Sequence, residues 1–164
     1  MRISFDLDDT LICYADSVPR EPTRVPFFLR WWLNEPLRLG TRELIQQLRQ
    51  RKCEIWIYTS SSRTRRLIRL WLRCYGIAID GVINQQVYAE YLRRNPVTIP
   101  ASKNPRSFGI DLHIDDLPGV FVEGEQHGFD VLVVSPENEL WVQDVLAKVD
   151  AVRDAPLSPL AKSA

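Results

Sequence analysis

Ile3-Ser4-Phe5-Asp6-Leu7-Asp8-Asp9-Thr10-Leu11 sets three carboxylates directly behind a short apolar run near the start of the chain. Arg2 to Phe5 has the length and composition of a buried strand, and a polar turn follows it at once. Three further runs share this character: Glu54 to Tyr58, Leu112 to Ile114 and Val131 to Val134. Helical spacing separates them. Thr41 is placed to cap a helix with Leu44, Ile45 and Leu48 on one face, and Ser62 one with Leu67, Leu70, Trp71 and Cys74, stopped at Gly76. Pro118 to Gln126, closed by Gly128, predicts another. Ser135-Pro136 opens a last one carrying Val142, Val145, Leu146 and Val149. Strands alternating with helices predict an α/β, doubly wound, mostly parallel sheet with helices on both faces.

The whole of 1–150 reads as a single core domain, with 151–164 as a C-terminal tail. The stretch 14–40 fits the alternation worst, because Pro19, Pro22, Pro26 and Pro36 break it while Phe27, Phe28, Trp31 and Trp32 crowd its middle. It is expected to be a small insertion after the first strand, with one short helix from Pro26 to Leu33. Some of the aromatics should pack it down, and at least one should reach substrate. With 45% hydrophobic and 26% charged residues among 164, the composition excludes a disordered chain. Equal numbers of basic and acidic side chains, 21 each, supply no bulk field for nucleic acid or an anionic membrane. The basic run Arg63, Arg65, Arg66, Arg69 and Arg73 is therefore read as a solvated helix face, since no aromatic residues interleave with it. Cys13, Cys53 and Cys74 are too few and too scattered for a disulfide framework or a structural zinc site. Asp6 breaks the opening apolar run too early for a signal peptide, and no stretch is apolar enough to span a membrane, so a cytoplasmic protein is expected.

In a parallel sheet the ligand sits beyond the carboxyl ends of the strands. The residues there are Asp6, Asp8, Asp9 and Thr10, then Thr59, Ser60 and Ser61, then Asp115 and Asp116. Two unit charges 4 Å apart repel by about 4 kcal/mol at an effective dielectric near 20, so such a cluster calls for a cation. Oxygen donors without histidine or cysteine favour Mg²⁺. Asp6 and Asp8, two apart in extended chain, lean to the same side, so that one carboxylate can attack while the other moves protons. That division of labour suits phosphoryl transfer.

With these residues in hand, the chain resembles the haloacid dehalogenase (HAD) superfamily of aspartate-nucleophile phosphatases, whose core is Rossmann-like. Asp6 to Leu11 matches its Asp-x-Asp-x-Thr-Leu motif, and Ile55 to Thr59 its apolar strand ending in Thr or Ser. Lys103 stands where its lysine would, and Leu112 to Asp116 matches its paired acids. The resemblance implies Asp6 as nucleophile and Asp8 as general acid and base. It implies Mg²⁺ held by the Asp6 carboxylate, the Asp8 backbone carbonyl and Asp115; Asp116 itself reads either as a neighbour of the metal or as the N-cap of the helix at Pro118. Thr59, sharing the contact with Ser60, and Lys103 would bind the phosphoryl oxygens. The gap from Thr59 to Lys103 is expected to hold one helix and a short connection, leaving no room for a full cap domain. The resemblance then implies an open site for a large phosphorylated substrate, or a homodimer whose second subunit supplies a lid.

The expectation is a Mg²⁺-dependent phosphomonoester hydrolase working through a phospho-aspartate. A catalytically weak relative that only binds a phosphorylated ligand is the alternative. A receiver-type phosphoacceptor would place its acidic elements in the opposite order.

Overall fold

The computed structural model describes residues 1–97 and 101–154. Five strands, β1 (Arg2–Phe5), β2 (Glu54–Tyr58), β3 (Gly81–Ile83), β4 (Leu112–Asp115) and β5 (Val131–Val133), form one sheet in the order β3-β2-β1-β4-β5, every pair parallel. The helices are α1 (Thr41–Gln50), α2 (Arg65–Cys74), α3 (Gln85–Arg94), α4 (Pro118–His127) and α5 (Trp141–Asp154).

Strand side chains alternate between two different environments. Ile3, Phe5, Ile55, Ile57, Leu112 and Ile114 join the main core with Leu44 and Leu48 of α1, Ile68, Trp71 and Leu72 of α2, and Val145 and Val149 of α5. The opposite face carries Trp56 and Tyr58, covered by Val87 and Tyr88 of α3 and by Phe108, which lies on a 3-10 turn at Pro105–Phe108. Buried on that face are also the polar pair Ser4 and His113, the latter 5.6 Å from the Tyr58 ring between centroids.

Several local expectations are corrected. The stretch between Thr59 and Lys103 holds α2, β3 and α3 rather than one helix. β3 is only three residues long, and α3 buries no residue, so neither leaves a period to read. Gly81 is what lets β3 approach: a Cβ there would stand 2.1 Å from the Trp56 ring. The N-cap of α2 is Thr64, whose hydroxyl accepts from the Leu67 amide, and not Ser62. Its buried face is accordingly Ile68, Trp71 and Leu72, with Leu70 exposed. Gly40 at φ 87° is the N-cap of α1, so Thr41 is its first helical residue. Ser135-Pro136 forms a turn, and α5 starts at Trp141 and runs on to Asp154, past the Asp150 boundary. The remainder of the expected tail, 155–164, lies outside the described residues.

The insertion is pinned by aliphatic residues and one arginine. Its helix is a single 3-10 turn, Phe27–Leu29, and Val25, Leu33 and Leu37 enter the core. Phe27, Phe28, Trp31 and Trp32 all face solvent, Trp31 at 89% exposure, so the expectation that aromatics pack the insertion down is overturned. Arg38, only 2% exposed, does much of that work. Its guanidinium donates to the carbonyls of Ser135 (2.8 Å), Pro136 (2.9 Å) and Asn138 (3.0 Å) and stacks over Trp141 at 4.5 Å. Removing it takes a donor from three partly buried carbonyl contacts and the cation from the Trp141 ring. Arg38→Met is expected to lower unfolding free energy by about 3 kcal/mol, seen as a reduced urea midpoint with unchanged far-UV circular dichroism.

Candidate active site

Strand register brings the acids together. β1 lies between β2 and β4, and chain order reverses at the β1–β4 boundary, where open α/β sheets bind ligands. Phe5 pairs with Ile114, and the Asp6 amide donates to the Ile114 carbonyl at 2.9 Å, so Asp6 and Asp115 leave adjacent strands side by side. The chain then turns within one helical loop: the amides of Leu11 and Ile12 both donate to the Leu7 carbonyl, at 2.9 and 2.7 Å. Asp9 occupies the left-handed region there at φ 56°, a conformation that Asp tolerates better than most residues.

Asp6, Asp115 and Asp116 each offer an oxygen within 4.8 Å of the others. Lys103, itself buried, lies 3.0 Å from Asp6 Oδ1 and 2.5 Å from Asp115 Oδ2. The ammonium is the ion-pair partner of Asp6 Oδ1, an oxygen that otherwise receives no hydrogen bond among the described residues. Behind the acids, His113 spans Asp115 Oδ2 (Nε2, 2.9 Å) and Ser4 Oγ (Nδ1, 2.8 Å). Burial holds its imidazole below the ordinary histidine pKa. The neutral ring then donates through Nε2 to Asp115 and accepts from the Ser4 hydroxyl at Nδ1.

The three carboxyls are tuned apart. Burial pushes Asp6 up, Lys103 opposes that, and the neighbouring Asp115 charge adds to it. Asp116 is likewise raised, first by burial and then by Asp115. Burial acts the same way on Asp115, but the His113 hydrogen bond and the Lys103 charge prevail and hold it well below the usual carboxylate range. One ammonium faces three carboxyls, so the fully ionised cluster keeps two surplus negative charges. Together with the undonated Asp6 oxygen, this all-oxygen set fits a small divalent cation.

The other predicted residues fall as follows. Thr59 is buried just past β2, its amide on the Ile83 carbonyl and its Oγ1 accepting from Ser61 N–H at 3.1 Å, while Ser60 is exposed. Asp116 does not cap α4, whose N-cap is Leu117; its Oδ1 accepts from the Thr10 hydroxyl at 3.3 Å. The Asp8 side chain stands outside the three-acid cluster. Its Oδ2 accepts from Arg63 at 2.8 Å and its Oδ1 from the Tyr14 hydroxyl at 3.1 Å. Arg63 also donates to Glu35 (2.9 Å) and Tyr14 (2.8 Å). Burial weakens the guanidinium's hold on its proton, yet the bonds to Asp8 and Glu35 raise its pKa above the ordinary value.

Arg63, Tyr14 and Glu35 were not picked out by the sequence as site residues. With Ser62 taken as N-cap, Arg63 reads as part of a solvated helix; with Thr64 as the true N-cap it precedes the helix and turns inward. The Ser4–His113 pair did leave a signal, a polar residue at matching positions of two otherwise apolar strands.

A comparison with solved structures finds a likeness to a predicted HAD-like family hydrolase from Porphyromonas gingivalis, 14% identical, with a TM-score of 0.50 over 90% of this chain and 97% of that one. The chain has a HAD-like fold. At that identity the likeness shows the fold alone, and neither the family models nor the curated proteins contain a match. Among the described residues no helix is long and apolar enough to cross a membrane.

Two measurements follow from the charges. The folded chain refuses a proton at His113 that the unfolded chain accepts below pH 6.5, so stability present above that pH is lost as pH falls through it. His113→Gln should flatten that part of the melting-temperature profile between pH 5 and 6.5. A raised Asp6 pKa has the opposite sense: its ionisation opposes folding at neutral pH. Asp6→Asn is expected to melt higher than the wild type without metal, and added divalent cation should stabilise the wild type more than the variant in differential scanning fluorimetry.

Proposed function

We propose that this chain is a Mg²⁺-dependent phosphomonoester hydrolase acting through a covalent phospho-aspartate at a site without a large cap. The observation that carries this is the buried Asp6 carboxylate, with one oxygen lacking a hydrogen-bond donor, beside Lys103 and two further acids at the β1–β4 switch point. The HAD-like hydrolase neighbour supports hydrolytic chemistry on the same fold.

Asp6, the Asp8 backbone carbonyl and Asp115 would hold the metal, with Asp116 beside them. When bound, Mg²⁺ screens the phosphate dianion from the carboxylates around it. The chain's own groups do the rest. An Asp6 oxygen bonds to phosphorus as the ester P–O bond breaks, and the leaving oxygen takes the Asp8 proton. Asp8, now a carboxylate, takes a proton from water, whose oxygen bonds to phosphorus as the Asp6 ester bond breaks. Inorganic phosphate and the original Asp6 are the result. Lys103 offsets negative charge on Asp6 and on the phosphoryl group throughout, and the Thr59 hydroxyl, whose oxygen accepts from Ser61, keeps its hydrogen for a phosphoryl oxygen. Ser60, exposed at the mouth, adds a second hydroxyl.

A slow phospho-ligand binder is the rival, favoured by one observation: both Asp8 oxygens already accept hydrogen bonds. Purified protein assayed with Mg²⁺ on a broad phosphomonoester panel separates the two. Turnover that chelation abolishes and that Asp6→Asn reduces by about 10³-fold or more supports the hydrolase, and Asp8→Asn should cost roughly 10²–10⁴-fold. Tight phosphate-ester binding without turnover supports the binder. Full activity in Asp6→Asn would remove the nucleophile assignment.

A further inference from the structure

We infer that Arg63 is a positioning residue that aims the Asp8 carboxyl at the leaving-group oxygen, with Tyr14 as its second arm; this rests on the hydrolase reading given above. Asp8 is only partly buried, its side chain 37% exposed, and an aspartate so placed ordinarily samples several rotamers. Here both of its oxygens are tied. Oδ2 accepts from Arg63 Nη1 at 2.8 Å and Oδ1 from the Tyr14 hydroxyl at 3.1 Å.

Arg63 is itself fixed at every level. Nη1 also donates to Ser61 Oγ (2.9 Å), and Nη2 to Tyr14 (2.8 Å) and Glu35 (2.9 Å). Its backbone amide donates to Ser61 Oγ at 3.2 Å, and its carbonyl accepts from Asn84 Nδ2 at 3.0 Å. Asn84 in turn is the N-cap of α3, its Oδ1 accepting from the Val87 amide. The catalytic loop, the insertion and the turn after β2 thus converge on one guanidinium, while the start of α3 holds the Arg63 backbone. A planar fork with two donating arms fixes both place and orientation of its partners, which a lysine cannot do.

The consequence concerns the leaving group. Proton donation from Asp8 leaves a carboxylate, and the guanidinium is already in place to receive it. An alkoxide needs that proton as its P–O bond breaks, whereas a nitrophenolate departs largely without it. Misplacing a catalytic group by 1 Å can cost about 10²-fold. The loss in an Arg63 variant should therefore grow as the leaving group worsens.

The experiment measures kcat and KM for wild type, Arg63→Gln, Arg63→Lys and Tyr14→Phe on p-nitrophenyl phosphate and on a series of alkyl phosphates. Arg63→Gln is expected to lose about 10- to 100-fold in kcat on alkyl esters, and several-fold less on the nitrophenyl ester, with KM little changed. Arg63→Lys should stay close to Arg63→Gln, and Tyr14→Phe, which removes one hydroxyl and spares the packing, should shift in the same direction by less. Guanidinium added to Arg63→Ala should restore the alkyl ester more than the nitrophenyl ester. Equal losses on both ester types, or a gain on alkyl esters, would overturn the assignment. A wild type inactive on every ester would instead sink the hydrolase proposal itself.

Discussion

Burial of like charges side by side is the constraint around which this fold is arranged. Asp6 and Asp115 emerge from neighbouring strands into a region closed to water, and the Lys103 ammonium, 3.0 and 2.5 Å away, is what makes that tolerable. The ammonium does not divide its effect evenly. With His113 behind it, Asp115 is held firmly ionised, while Asp6 keeps an oxygen without a donor and a raised pKa. Two carboxyls of opposite acidity are thereby made from the same side chain by their surroundings.

Around that centre the insertion serves as a buttress. Arg38 ties it to the turn before α5, and Glu35 and Tyr14 reach the Asp8 side through Arg63. Two arginines thus hold it in addition to Val25, Leu33 and Leu37, which enter the core. Its four largest rings, Phe27, Phe28, Trp31 and Trp32, are mostly exposed to solvent.

Much of the fold was legible because strands and helices with a buried face write their period into the sequence, as β1, β2, β4, β5 and α1 do, while Pro118 and Gly128 mark the ends of α4. β3 and α3 were not, one being too short and the other packing on the sheet only through the half-buried Val87 and Tyr88. The acids at the strand ends were legible for a related reason, as carboxylates following apolar runs are costly without a partner. What could not be read was which polar groups meet across the chain. Arg63 looks like its neighbours Arg65 and Arg66 until Thr64 is known to begin the helix. Arg38 gives no local hint that three carbonyls about a hundred residues later await it.

The central position of β1 has a consequence for biosynthesis. During synthesis β1 receives its β2 neighbour after some fifty residues, but its β4 neighbour only after more than a hundred, because Ile3 pairs with both Ile55 and Leu112. Until then one edge of the nascent sheet stays open, the kind of exposed pairing edge that slow, non-local topologies present to aggregation and to chaperones. Lys103 emerges shortly before β4, so the cation that neutralises the pair is in hand when Asp115 closes against Asp6.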